Sequence, residues 1–258
     1  NTTGHSNAAV GYGSLYYNSS AEHNTAVGMH SLNNTTTGNK NTALGSDAGK
    51  ANTTGCRNTF IGYSAAYKNT SGFHNVAVGT SSLYCNTTGC HNVAVGYLAL
   101  KLNTTGCGNT ASGVATLCGN TTGKYNTASG YSAGCQNTTA FYNTFSGYAA
   151  GKLTTTGGCN TAFGAAALRL NTIGCRNTAS GYTALAVNTT GCLNTGSGFG
   201  SLQANTTASH NTAYGACTLY NNTTGCHNTA SGYKALNAST TACFNTAGGS
   251  CALLNNTT

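Results

Sequence analysis

The stretch from Asn92 to Gly108 reads N-V-A-V-G-Y-L-A-L-K-L-N-T-T-G-C-G. An Asn opens it, Gly stands four residues later, and a second Asn precedes T-T-G. The same pattern opens at Asn7, Asn24, Asn41, Asn58, Asn75, Asn92, Asn109, Asn126, Asn143, Asn160, Asn177, Asn194, Asn211, Asn228 and Asn245, each step being 17 residues. With the opening Asn as coil position 1, the unit is N-T-A-[V/S]-G-Y-x-A-L-x-x-N-T-T-G-C-x. Position 5 is Gly in every coil, from Gly11 to Gly249.

A helical repeat fits poorly. Two Gly per unit would cost a helix about 2 kcal/mol relative to Ala, and helical hairpin repeats run to about 33 residues or more. Alternating Thr, Val and Tyr suit strands, while Gly and Asn suit corners. The unit is therefore predicted to be one coil of an all-β parallel solenoid. Residues 1–258 then form a single array of about 15 coils, stacked about 4.8 Å apart.

The alternation places the side chains. Position 3 is mostly Ala, with Phe60, Phe145 and Gly196 as exceptions, and is predicted to be a narrow interior slot. Position 9 is mostly Leu, with Gly49, Ala66, Gly134 and Gly151 as exceptions, and is predicted to fill the core. Positions 2 and 4 point outward. The position 1 Asn column is predicted to turn inward as a ladder that satisfies corner backbone groups. The two Gly columns suit corners that need positive φ or close approach. One buried Leu gives about 1.5–3 kcal/mol, whereas ordering each backbone residue costs about 1–2 kcal/mol. A lone coil therefore cannot fold, and stability must come from neighbours. Asn1-Thr2-Thr3 and Asn256-Thr257-Thr258 share a coil phase, which predicts an uncapped segment of a longer fibre.

Composition excludes much chemistry. Charged residues make up 5% of the chain, against roughly 25% in ordinary domains. The acids are Glu22 and Asp47 alone. They are too few for a multi-carboxylate cation cage and too far apart in sequence for a ready glycosidase pair. Cys90-His91 and Cys226-His227 are adjacent, so on a strand they would face opposite sides, and no C-x-x-C accompanies them. No enzyme, metal or cofactor is expected. No run of 18 apolar residues exists, so no transmembrane helix is expected.

Four columns carry candidate sites. The sequon N-x-[S/T] recurs at position 12, with candidate N-glycosylation at Asn18, Asn52, Asn69, Asn86, Asn103, Asn120, Asn137, Asn188, Asn205 and Asn222. The alternative is a second inward Asn ladder, with any sugar O-linked to the Thr pair that follows. Cysteines in adjacent coils fall within bridging range, giving the candidate disulfides Cys90–Cys107, Cys118–Cys135, Cys175–Cys192 and Cys226–Cys243. The alternative is a column of reduced thiols. Position 17 holds His23, Lys40, Arg57, His74 and His91 in consecutive coils, a candidate anion-binding stripe or a plain solvated face. Nucleic acid is an unlikely partner, because three of the five are His, mostly neutral at pH 7. Tyr at position 6 forms a broken aromatic ladder that would contact sugar or simply stack.

The coil from Asn92 to Gly108 resembles the N-T-A-V-G-Y-x-A-L-x-x-N-T-T-G repeats of phage and virus tail-fibre-like proteins. More distantly, Ala94-Val95-Gly96 is similar to the A-I-G core of trimeric autotransporter adhesin heads. The resemblance covers the whole chain and implies a left-handed β-roll in surface fibres used for attachment. In the adhesin heads the aliphatic residue before Gly faces a partner chain. Here that position holds Val10, Val27, Leu44, Ile61, Val78 and Val95, then mostly Ser from Ser112 on.

The expected role is a structural subunit of a rigid extracellular or virion-surface fibre that self-associates end to end or laterally. One alternative is an adhesive fibre that recognises glycans. Another is an ice-binding protein, suggested by the Thr row at position 2, although the Thr rows at positions 13 and 14 alternate faces.

Overall fold

The computed structural model describes residues 2–257. Among these the chain is all-β, with fifteen strands of three residues each and no helix. It divides into two compact units, Asn1–Asn126 and Thr127–Thr258.

The first unit holds β1 (Ala8–Val10), β2 (Thr25–Val27), β3 (Thr42–Leu44), β4 (Thr59–Ile61), β5 (Val76–Val78), β6 (Val93–Val95) and β7 (Thr110–Ser112). Each strand pairs in parallel with the next, like position on like position, as in Ala26 with Ala43. The second unit repeats the arrangement with β8 (Thr127–Ser129), β9 (Thr144–Ser146), β10 (Thr161–Phe163), β11 (Thr178–Ser180), β12 (Thr195–Ser197), β13 (Thr212–Tyr214), β14 (Thr229–Ser231) and β15 (Thr246–Gly248). This is the predicted parallel β-solenoid.

The interior is thin and follows the alternation. From the second coil on, position 3 is buried, as at Ala43, Phe60 and Ala94, and the position 9 leucines Leu32, Leu83, Leu100, Leu168 and Leu236 are fully buried. Positions 2 and 4 face outward to differing degrees: Thr178 and Ser180 are exposed, whereas Thr25 is half-buried.

Strand is scarcer than the Thr, Val and Tyr content suggests, because every coil turns through the left-handed region repeatedly. In the coil from Asn92, Gly96 has φ 134°, Leu98 59°, Leu100 51° and Gly108 69°. Position 5 ranges from 113° to 139°, where only Gly is comfortable. The leucines of position 9 take φ near 50°, a conformation costing an L-residue about 1–2 kcal/mol. Burial of the same side chain, worth about 1.5–3 kcal/mol, offsets that strain. The turns still bond between coils, with Leu100 N–H donating to Thr116 C=O at 3.0 Å and Leu102 N–H to Cys118 C=O at 3.0 Å.

The Gly column of position 15 works differently. None of its glycines has positive φ, and a Cβ on Gly72 would come 2.7 Å from Asn86 Nδ2. Alanine is nonetheless accommodated there at Ala21, Ala140, Ala208 and Ala242.

Candidate functional site

Two buried amide columns line the wall. In the first, each Asn side-chain oxygen accepts the backbone N–H of the next Asn in the column at 2.8–3.0 Å. In the first unit the chain of bonds runs through Asn7, Asn24, Asn41, Asn58, Asn75, Asn92, Asn109 and Asn126. In the second it runs through Asn143, Asn160, Asn177, Asn194, Asn211, Asn228 and Asn245. The second column is linked side chain to side chain, with Asn69 Nδ2 donating to Asn52 Oδ1 at 2.8 Å, Asn86 to Asn69 at 2.7 Å and Asn103 to Asn86 at 2.8 Å.

The columns meet at the position 15 carbonyl. Gly72 C=O accepts Asn58 Nδ2 at 2.8 Å and Asn69 Nδ2 at 3.1 Å. Gly106 C=O accepts Asn92 Nδ2 at 2.8 Å and Asn103 Nδ2 at 3.0 Å. An acceptor that would otherwise be buried without a strand partner is thus held twice.

This geometry corrects the expectation of N-glycosylation at Asn18, Asn52, Asn69, Asn86, Asn103, Asn120, Asn137, Asn188, Asn205 and Asn222. All are buried. Their Nδ2 atoms, which a sugar would join, donate inward, as Asn18 does to Ala21 C=O and Asn188 to Gly191 C=O and Asn171 Oδ1. A glycan there is incompatible with the closed coil. Of the following Thr pair, position 13 bonds between coils, as Thr87 Oγ1 does to Thr104 C=O at 3.1 Å. Position 14 is exposed, as at Thr88, Thr105 and Thr190.

The cysteine pairs separate into kinds. Cys90 and Cys107 face each other as thiols at 2.8 Å, and so do Cys175 and Cys192. Burial, together with the bond to Cys107, pushes the Cys90 thiol up to about 11. The bond to Cys192, and then burial, raises Cys175. Cys226 N–H donates to Cys243 Sγ at 3.1 Å, while both thiols turn to carbonyls of their own coils. Cys118 and Cys135 fall in different units.

His23, Lys40, Arg57, His74 and His91 are all exposed on left-handed backbone, with φ between 55° and 60°. Successive members are tied at the backbone: Lys40 N–H bonds Glu22 C=O and Arg57 N–H bonds Asn39 C=O. Arg57 Nη1 lies 3.2 Å from His74 Nε2, and the His74 and His91 rings meet edge to face at 4.9 Å. Part of the stripe's donor capacity is therefore turned on itself.

Several features carried no local sequence signal. Asp47 pairs with Lys50 at 3.0 Å and approaches His30 at 3.5 Å. The hydrogen bond to Asp47 raises the Lys50 pKa. Lys50 caps the Tyr67 ring, which stacks on Tyr84 at 5.1 Å. In the position 6 column Tyr131 stacks on Tyr148 at 5.6 Å, and Tyr182 on Phe199 at 5.7 Å. An open groove of about 540 Å³ is lined by Tyr12, Gly13, Tyr16, Tyr17, His30 and Asn33. The ring pairs come together because residues one period apart stack, whereas Asp47 and Lys50 meet within one coil.

Fold and site together define a parallel β-solenoid with a doubled Asn ladder. Compared with family profiles, with curated proteins and with solved structures, the chain matches none.

Proposed function

We propose that the protein is a structural subunit of a rigid fibre, outside the cell or on a virion surface. The doubled amide ladder carries this reading. Within each unit the Asn-to-Asn bonds one period apart tie coil to coil, so bending or opening one coil breaks a cooperative series. A row of exposed apolar side chains supports lateral self-association in the first unit: Val27 at 38%, Leu44 at 38%, Ile61 at 36% and Val95 at 40% exposure. End-to-end association is the other route to a fibre. The exposed Thr column at position 14 offers O-linked attachment points. Electron microscopy of the native assembly tests the reading: filaments support it, and discrete compact particles at every concentration contradict it.

An adhesive role is favoured by one observation, the tyrosine-lined groove. Its Tyr12, Tyr16 and Tyr17 rings offer flat apolar faces, and His30 and Asn33 supply polar atoms, the chemistry that receives sugar rings. Glycan-array binding that is lost in Tyr16→Ala would support it. Paired outward hydroxyls such as Thr178 with Ser180 and Thr229 with Ser231 favour ice binding. Absence of thermal hysteresis at high protein concentration would exclude that reading.

A further inference from the structure

We propose that His5, Glu22 and His23 form a binding site for a divalent transition-metal ion of the zinc type. The three candidate ligand atoms lie within 4.8 Å of one another, and this is the one such cluster among the described residues. His5 Nε2 is 3.0 Å from Glu22 Oε1, and the two imidazoles meet edge to face at 5.8 Å. Two imidazoles and one carboxylate are a donor set that zinc takes in open sites, with water completing the tetrahedron.

The backbone already holds these donors together. His23 N–H donates to His5 C=O at 3.3 Å. Glu22 N–H donates to Asn39 Oδ1 at 2.7 Å. Ser6 Oγ engages His5 Nδ1 at 3.2 Å, which leaves Nε2 directed at the carboxylate. Metal–ligand bonds are about 2.0–2.2 Å, so three donor atoms within 4.8 Å of one another are close enough to share one ion. His5 and Glu22 lie one 17-residue period apart, so no short motif announces them. The equivalent positions of the next coils hold Asn39-Lys40, Cys56-Arg57 and Phe73-His74, which lack the carboxylate.

The test titrates the full chain with Co²⁺, read by visible absorption, and with Zn²⁺, read by calorimetry. The expected result is one ion per chain with a tetrahedral cobalt spectrum that zinc displaces. Glu22→Gln and His23→Gln should each weaken binding by about tenfold or more. An unchanged aqueous cobalt spectrum would overturn the site. So would binding that survives both substitutions and disappears instead in His74→Ala/His91→Ala or His210→Ala/His227→Ala. Unchanged thermal melting of each variant without metal keeps loss of binding distinct from loss of fold.

Discussion

A Cβ on Gly49 would sit 2.6 Å from Cδ2 of Phe60. The second unit repeats the relationship, where a Cβ on Gly151 would sit 2.6 Å from Cζ of Phe145. Every other coil pairs a small side chain at position 3 with Leu at position 9, except that Gly134 and Ala66 also replace Leu in coils next to or containing a Phe. The four exceptions to the Leu column therefore all accompany the two large exceptions to the Ala column. Where a Phe enters the slot, Leu gives way to a smaller residue in its own coil and in the preceding one.

Gly49→Leu should overpack the slot by about 1–3 kcal/mol. Phe60→Ala should leave a cavity costing about 3–5 kcal/mol. The pair together should cost clearly less than the sum, because the new Leu fills the space that Phe60 leaves. Denaturant unfolding of the four-member cycle checks this. Strict additivity would show that the columns are not coupled.

The second Asn column is broken where Ser239 replaces Asn, and there Asn222 Oδ1 is buried without a partner. Ser239→Asn supplies the missing amide and should raise stability by about 0.5–1.5 kcal/mol. Asn205→Ala removes bonds to Asn188 Oδ1, Ala208 C=O and Asn222 Nδ2. It should cost about 1–3 kcal/mol for each group left unpaired. Thermal melts of the two variants should move in opposite directions.

Leu193 is 43% exposed and has φ +60°. Leu193→Gly relieves a left-handed strain of about 1–2 kcal/mol and loses about 0.4–1 kcal/mol through the freer unfolded chain. The net effect should be a modest gain in melting temperature. The same substitution at buried Leu185, φ +51°, should destabilise, because lost burial outweighs relieved strain.

The Cys90 thiol is raised from 9.0 to about 11. The folded state therefore holds this proton more tightly than the unfolded state. Its contribution to stability is present below pH about 9 and is lost as the pH climbs towards about 11. Alkylation followed by mass spectrometry should find Cys90 slow at pH 8 beside the exposed Cys251. A mild oxidant should then join Cys90 to Cys107 and Cys175 to Cys192, whose sulfurs already meet at 2.8 Å, before Cys226 to Cys243, where Cys226 Sγ donates instead to Thr224 C=O at 3.4 Å.

Much of the fold is legible because an unbroken period forces like residues to stack. The Asn7-to-Asn245 column, the Ala slot and the Leu core follow from that alone. The left-handed leucines are not legible, since Leu in isolation avoids that conformation and only the closed coil imposes it. The sequons mislead because N-x-T is a local pattern, blind to the direction in which Asn103 or Asn188 points. The His5–Glu22 contact and the Lys50–Tyr67–Tyr84 stack are hidden for the opposite reason. They join residues one period apart whose types break the consensus.

The most direct test of a fibre built from laddered coils is electron cryomicroscopy of the native assembly, read from its averaged power spectrum. The fold and the proposed role together require filaments with a layer line at about 4.8 Å along the long axis, the spacing of stacked parallel strands. Discrete particles without that periodicity, or filaments whose strands run along the axis, would contradict it.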